Sequence, residues 1–377
     1  TRALGVALLD RQARFMRHLE KIGQLDRAIE FLPSEEQIAE RRAQGLGLTS
    51  PELAVLLAYS KMWLSDELVA SELPDDPWVA TALSRYFPPL LRETFSAYIP
   101  RHPLKREIIA THVLNRMVNR VGPTFVHRLT EMTGAPPAQI VRAYLVMREV
   151  FCFGTLWKQI EALDNRVADA VQTAMSNHLR SMAVRATTWL LHPRRLAEAV
   201  QPLIARLTPA VALLRARLEP AAAAQPLVAD WVAAGVPAAL AQAVAATDGL
   251  FDALDIAEIA EATRQPLEQV CDLHRELGAS LGLERVQRQI EALAADGYWD
   301  TLAKIALGDE LAELQRSIAM EVLSRREGSA LQMLQAWEGE NQQELHSARR
   351  LLAELADAKA ADLAMLSVAL RKLRNLA

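Results

Sequence analysis

The sequence predicts an all-α protein, a multi-helical array with an internally duplicated helical module. Three observations carry that prediction. Glycine is scarce, 15 residues in 377, while Ala, Leu, Glu and Arg dominate. Hairpin turns and β-branched strands therefore have few residues to build them. Apolar residues recur at three- and four-residue spacing between helix-capping signatures. One stretch is also written twice. Residues 131–163 and 261–293 align without a gap at an offset of 130, with 9 identities in 33 positions. Ordinary residue usage gives about two or three.

Taken in order, residues 2–31 carry an apolar stripe of Leu8, Leu9, Phe15, Leu19 and Ile22 with Arg and Asp between them. Ser34 and Gln37 then form a capping-box pattern, and Gly45 and Gly47 close that helix. Thr49 or Ser50 caps the next helix, with Pro51 in its first turn and Glu52 on the positive end of its dipole. "LPDDPW" (73–78) is a turn into a short helix, which "YFPPLL" stops near Pro88. Short connections between successive helices are those of a bundle.

The first copy of the repeated module spans 102–218 and the second 236–377, after an N-terminal helical segment, 1–101. An Ala/Pro-rich stretch, 219–235, reads as the linker between the copies. Glu131, Thr133, Pro136, Gln139 and the "QIEAL" of 159–163 recur as Glu261, Thr263, Pro266, Gln269 and 289–293. Ile140/Val270, Phe151/Leu281, Leu156/Val286 and Lys158/Arg288 keep their character. The two segments are expected to form equivalent helices with Ile160 and Ile290 both buried. Arg180 and Ser181 match Arg316 and Ser317 at an offset of 136, which places a six-residue gain near 294–300. A C-terminal helix is expected to carry Leu352, Leu355, Leu363, Leu366, Leu370 and Leu373 on one face, with Arg371, Lys372 and Arg374 at its negative end.

A hydrophobic fraction of 51% supports real cores, and a net charge of −4 with interspersed signs offers no surface for nucleic acid or membrane. Cys152 and Cys271 are not equivalent in the repeat, since Cys271 aligns with Val141. A disulfide framework is not implied, and a reducing, cytoplasmic setting is expected. The longest apolar run, 227–246, is interrupted by Asp230, Gly235, Pro237 and Gln242, so it does not read as a membrane span. The chain opens on Thr1 rather than Met, and it is expected to be a piece of something longer.

Several common site signatures are missing: there is no G-x-G-x-x-G, Walker A loop, H-E-x-x-H or C-x-x-C. "GLGL" (45–48) follows a helix and adjoins a cap, the wrong context for a phosphate loop. His112 and His127 are not spaced for one helical face. Trp63, Trp78, Trp157, Trp189, Trp231, Trp299 and Trp337 are spread along the whole chain, as packing residues are. Glu35/Glu36 and Asp75/Asp76 stand at capping or turn positions. The expectation is therefore no catalytic, no cofactor-binding and no metal-ligating residue in this chain. Two stretches, 124–151 and 255–278, have helix–turn–helix patterning. A DNA reader needs cations on its second helix. The first stretch offers Arg142 and Arg148, but the second sets Glu268, Asp272 and Glu276 against Arg275. A structural hairpin is the better reading, and a stand-alone helix–turn–helix binding protein is the alternative.

Several stretches carry a resemblance: "LDRAIEFLPSEEQIAERRAQGLGLTSPELAVLLAYSK" (25–61), "LPDDPW" (73–78), "YFPPLLRETF" (86–95), "REIIATHVLNRMVNRVGPTFVHRL" (106–129) and "REVFCFGTLWKQIEALDN" (148–165). Together they resemble the C-terminal region of the large bacterial NAD-specific glutamate dehydrogenases. The match is specific over about 25–165 and looser beyond about 200. The resemblance implies, for the parent enzyme, oxidation of L-glutamate to 2-oxoglutarate and ammonia with NAD. It places the substrate-binding lysines and the dinucleotide fold upstream of this chain, so no catalytic residue carries over. It implies a non-catalytic scaffold or regulatory region. Its partners would be the upstream catalytic domain, toward which 1–101 packs, and further copies in a homo-oligomer. Leu4, Val6, Leu8 and Leu9 are the expected exposed contact residues.

Overall fold

The computed structural model describes residues 5–217, 225–294, 298–357 and 361–376, and among them there is no strand. The first helices are α1 (Gly5–Lys21), α2 (Glu35–Ala43), α3 (Ser50–Ala70), α4 (Pro77–Ala80), α5 (Ala82–Tyr86) and α6 (Pro89–Thr94). There follow α7 (Lys105–Val121), α8 (Phe125–Thr133), α9 (Pro137–Val150), α10 (Phe153–Glu161) and α11 (Asp169–Leu190). Next come α12 (Pro193–Leu196), α13 (Val200–Arg217), α14 (Gln225–Ala233), α15 (Ala238–Ala245) and α16 (Asp252–Thr263). The series closes with α17 (Leu267–Leu281), α18 (Leu283–Ala292), α19 (Tyr298–Arg325), α20 (Ala330–Glu340), α21 (Gln342–Asp357) and α22 (Leu363–Leu373). The chain divides into two compact units, Thr1–Ala205 with Ala222–Thr247, and Arg206–Ala221 with Asp248–Ala377.

Local signals set the helix starts. The Ser34 side chain accepts from the Gln37 N–H, and the Gln37 side chain accepts from the Ser34 N–H at 2.9 Å. At α3 the Glu52 carboxylate accepts from the Thr49 N–H at 2.7 Å and from both Arg41 guanidinium nitrogens, at 2.6 and 2.8 Å. One side chain thus caps α3 and ties it to α2. Burial opposes the Glu52 charge, but Arg41 and Thr49 outweigh it and hold the carboxyl below its ordinary pKa. Gly45 has a φ of 69°, which a glycine adopts without strain. Gly47 is required for another reason. A Cβ there would meet the Gly5 Cα at 2.6 Å, so α1 and the turn after α2 touch backbone to backbone.

In the first unit α9 is the hub. It packs against α3, α8, α10 and α11, and Ile140, Val141, Ala143, Tyr144, Leu145, Val146, Met147 and Val150 are all buried. Each large apolar side chain removed from water this way contributes about 1.5–3 kcal/mol. Tyr144 stacks on Trp157 and meets Phe125 edge-on, with ring centroids 6.3 and 5.9 Å away. A second aromatic cluster joins α1, α3 and α8. In it His127 lies 4.8 Å from His18 and 5.3 Å from Phe15, while Trp63 lies 5.1 Å from His18.

The second unit repeats part of this plan. Helices α8 to α11 contact one another in the pairs α8·α9, α9·α10, α10·α11, α8·α11 and α9·α11. Helices α16 to α19 make the corresponding pairs, in the same order. Backbone details coincide at the offset of 130. Gly134 and Arg264 end α8 and α16 in the left-handed region, and Cys152 and Gly282 precede α10 and α18 in that region. Thr133 Oγ1 donates to the Leu129 carbonyl and Thr263 Oγ1 to the Ile259 carbonyl, both at 2.7 Å. Ile160 and Ile290 are both buried.

Three expectations are corrected. The C-terminal leucines do not share one helix: Asp362 accepts from the Met365 N–H at 2.8 Å and starts α22 separately from α21. Leu363 is consequently exposed, while Leu366, Leu370 and Leu373 are buried. Within the expected linker, 225–233 is helical, and residues 218–224 lie outside the described residues. The expected second module begins at 236, yet α15 packs on α10 and α11 and falls in the first unit, because Val236, Leu240 and Val244 are buried there. The expected insertion at 294–300 overlaps 295–297, also outside the described residues.

In the second unit Arg316 on α19 is buried and pairs with buried Asp255 on α16 and with Glu313. Burial opposes the guanidinium charge, but the two carboxylates outweigh it and raise its pKa. Asp255→Ala leaves that cation buried without its main partner and is expected to cost about 3–5 kcal/mol. Glu313→Ala, which removes a mostly exposed carboxylate, costs under about 1 kcal/mol. Urea unfolding of the two variants checks the difference.

His127 sets a pH dependence in the first unit. Burial, with smaller contributions from His18 and Arg14, lowers its pKa from 6.5 to about 4. Glu131 stands 3.7 Å from its Nδ1, but burial dominates and the ring is neutral at pH 7. The unfolded chain binds a proton there first, so stability is full above pH 6.5 and falls as the pH drops toward 4. The expected loss is about 3 kcal/mol at pH 4. Thermal melts of His127→Phe, which keeps a ring in the cluster, are expected to show a flatter profile over that window.

Candidate functional site

The first unit exposes several large apolar residues close together in sequence. Pro88 and Pro89 break the helical run after Tyr86 and start α6, because proline fixes φ and suits the first turn. None of the α6 side chains is buried, although the segment reads Leu90, Leu91 and then Phe95. Leu90 is 73% exposed and Tyr98 71%, with Tyr86, Phe95 and Leu104 also open to solvent. Leu83 and Ile99 are buried and anchor the two ends. The aromatic rings meet chiefly one another, Tyr86 edge-on to Phe87 at 5.4 Å and Phe95 edge-on to Tyr98 at 6.4 Å. Several exposed large apolar residues in one stretch, Tyr and Phe among them, suit an interface.

A second exposed feature is the turn after α1. Phe31 is 89% exposed and holds a left-handed φ of 54°, a costly conformation for a bulky residue. The turn is held from beneath by Arg27. That guanidinium is buried and donates to the Pro33 carbonyl at 3.3 Å, Glu20 at 2.7 Å and Glu35 at 2.8 Å. Tyr59 Oη donates to Glu30 at 2.7 Å from α3. Ile29 is exposed beside Phe31. The expected contact residues differ from these. Leu9 is wholly buried in the core and Leu8 half-buried, because α1 turns that face toward α3; Leu4 and the Val6 side chain lie outside the described residues.

The other candidates settle into structural roles. Helix α9 is enclosed on nearly every side, so it presents no face to a DNA groove, and Arg142 is committed to the Glu198 carbonyl. On α17, Asp272 accepts from Arg217 at 2.9 Å. Glu35 bridges Arg17 and Arg27, and Asp76 caps α4 through the Trp78 and Val79 N–H groups at 2.9 and 3.1 Å. The tryptophans are buried or half-buried, apart from Trp299, which is largely exposed. Among the described residues no group of three His, Cys, Asp or Glu side chains is placed to hold a metal ion, and no helix is long and apolar enough to cross a membrane.

Residues 45–375 match the family model described as glutamate dehydrogenase, C-terminal. Three NAD-specific glutamate dehydrogenases are similar to the chain. That of Halomonas elongata is 36% identical over 399 residues, covering 100% of this chain and 24% of the relative. That of Pseudomonas aeruginosa is 37% identical over 372 residues, covering 97% and 23%. That of Mycobacterium tuberculosis is 33% identical over 385 residues, covering 100% and 24%. The chain thus spans about a quarter of the length of these relatives. With its all-helical architecture and a match running through both units, the chain belongs to the family of the glutamate dehydrogenase C-terminal region.

Proposed function

We propose that this chain is the non-catalytic scaffold and regulatory region of an NAD-dependent glutamate dehydrogenase, the parent enzyme converting L-glutamate and NAD to 2-oxoglutarate and ammonia in the cytoplasm. Its partners in this reading are the upstream catalytic part of the same polypeptide and further copies in a homo-oligomer. The observation that carries it is the exposed apolar run from Tyr86 to Leu104, whose α6 has no buried side chain of its own. Exposed apolar residues grouped in this way suit a surface that a partner covers. The reading includes an internal duplication, with α8–α11 and α16–α19 as copies. The matching helix contacts and the left-handed residues at 134/264 and 152/282 support that origin.

Two measurements test the reading. The isolated chain is expected to bind no NAD, since it has no glycine-rich loop at a helix start to hold a pyrophosphate. Titration calorimetry detecting NAD at micromolar affinity would overturn this. In the full-length enzyme, Leu90→Glu with Tyr98→Glu is expected to weaken the covered interface by about 2 kcal/mol or more. Oligomeric mass or melting temperature then falls while activity per folded subunit is kept. Unchanged mass and melting, with altered NAD or glutamate affinity, would put this surface in the active site and sink the scaffold reading.

A further inference from the structure

A shallow cleft in the first unit lies between the α4–α5 turn, α7 and α9. Arg85 from α5, His112 and Arg116 from α7, and Arg148 from α9 line it, with Trp78 and Leu145 supplying apolar wall. His112 and Arg116 sit one turn apart, on one face of α7. Arg85 and Arg116 make no ion pair among the described residues, and Arg148 reaches only the adjacent Glu149, at 3.4 Å. His112 Nε2 is enclosed yet has no hydrogen-bond partner.

Several arginines elsewhere are neutralised by carboxylates. Arg27 has two carboxylates, Arg41 has a forked bond to Glu52, and Arg316 has Asp255 and Glu313. Here three guanidiniums converge, and the charged groups that act on His112 are all cations: Arg116, Arg148 and Arg85. Like charges placed together destabilise a fold unless an anion joins them, and guanidinium forks match carboxylate and phosphate oxygens in geometry.

We propose that this cleft binds a small dianionic oxyanion, a phosphate or a dicarboxylate, held by Arg85, Arg116 and Arg148. The proposal stands apart from the scaffold reading, because binding there is measured without reference to glutamate chemistry. It makes the cleft an effector site: an anion seated in it links α5, α7 and α9, and α5 leads directly into the exposed apolar run.

The test is titration calorimetry and thermal melting of the full-length protein with inorganic phosphate and, separately, with succinate. At least one of the two is expected to bind with a Kd of about 1 mM or tighter, to raise the melting temperature, and to weaken as sodium chloride is added. The anion that binds better identifies the source. Arg85→Gln with Arg116→Gln is expected to weaken binding about ten-fold or more, and Arg116→Lys to lose less than Arg116→Gln. Both side chains belong to exposed residues and the substitutions relieve like-charge repulsion, so the variants are expected to melt at or slightly above the wild-type temperature without anion. No response to either anion at about 10 mM, or an undiminished response in the double glutamine variant, would overturn the proposal.

Discussion

A helix that is apolar on nearly every side has no stable place at a surface, and α9 is such a helix. Its enclosure obliges α3, α8, α10 and α11 to lie around it, and those helices position the rest of the first unit in turn. The α7 layer packs on α3 and α11, and α5 packs on α7. The histidine and aromatic cluster fills the space where α1, α3 and α8 converge. In the second unit α17 has the same place, ringed by α16, α18, α19 and α20. There a polar contact is included, since the Gln315 side chain donates to the His274 carbonyl at 2.9 Å.

Most of the ionic chemistry is spent on architecture. Arg41 with Glu52 joins α2 to α3, Arg120 with Glu161 joins α7 to α10, and Arg316 with Asp255 joins α19 to α16. Carboxylates that could be read as catalytic are caps or bridges, and the buried His127 is a neutral packing residue at pH 7. Among the described residues, the surfaces open to interaction include the apolar run around α6, the Phe31 turn and the cationic cleft.

Much of the architecture was legible because its signals are local. Ser34, Gln37, Thr49 and Glu52 specify their caps within four residues, and the structure places each cap where the spacing puts it. Sequence and structure part where one pattern masks another or where tertiary contact decides. Leucine periodicity runs across the end of α21 and masks Asp362, the residue that starts a new helix. Leu9 looks like any surface-ready apolar residue until α3 covers it. The left-handed turn at Phe31 has no glycine or asparagine to announce it. The arginines of the cleft are about thirty residues apart, at 85, 116 and 148, so spacing gives no hint that they meet.

The first unit is assembled from two lengths of chain, with residues 206–221 assigned to the second unit between them. During synthesis this matters for timing. Helices α10 and α11 emerge from the ribosome well before α15, whose Val236, Leu240 and Val244 cover part of them. At about 5–20 residues per second, that surface stays uncovered for several seconds on every nascent chain. A chain whose α10 and α11 have left the ribosome while α15 has not therefore holds a half-closed unit with an apolar side open to chaperones and proteases.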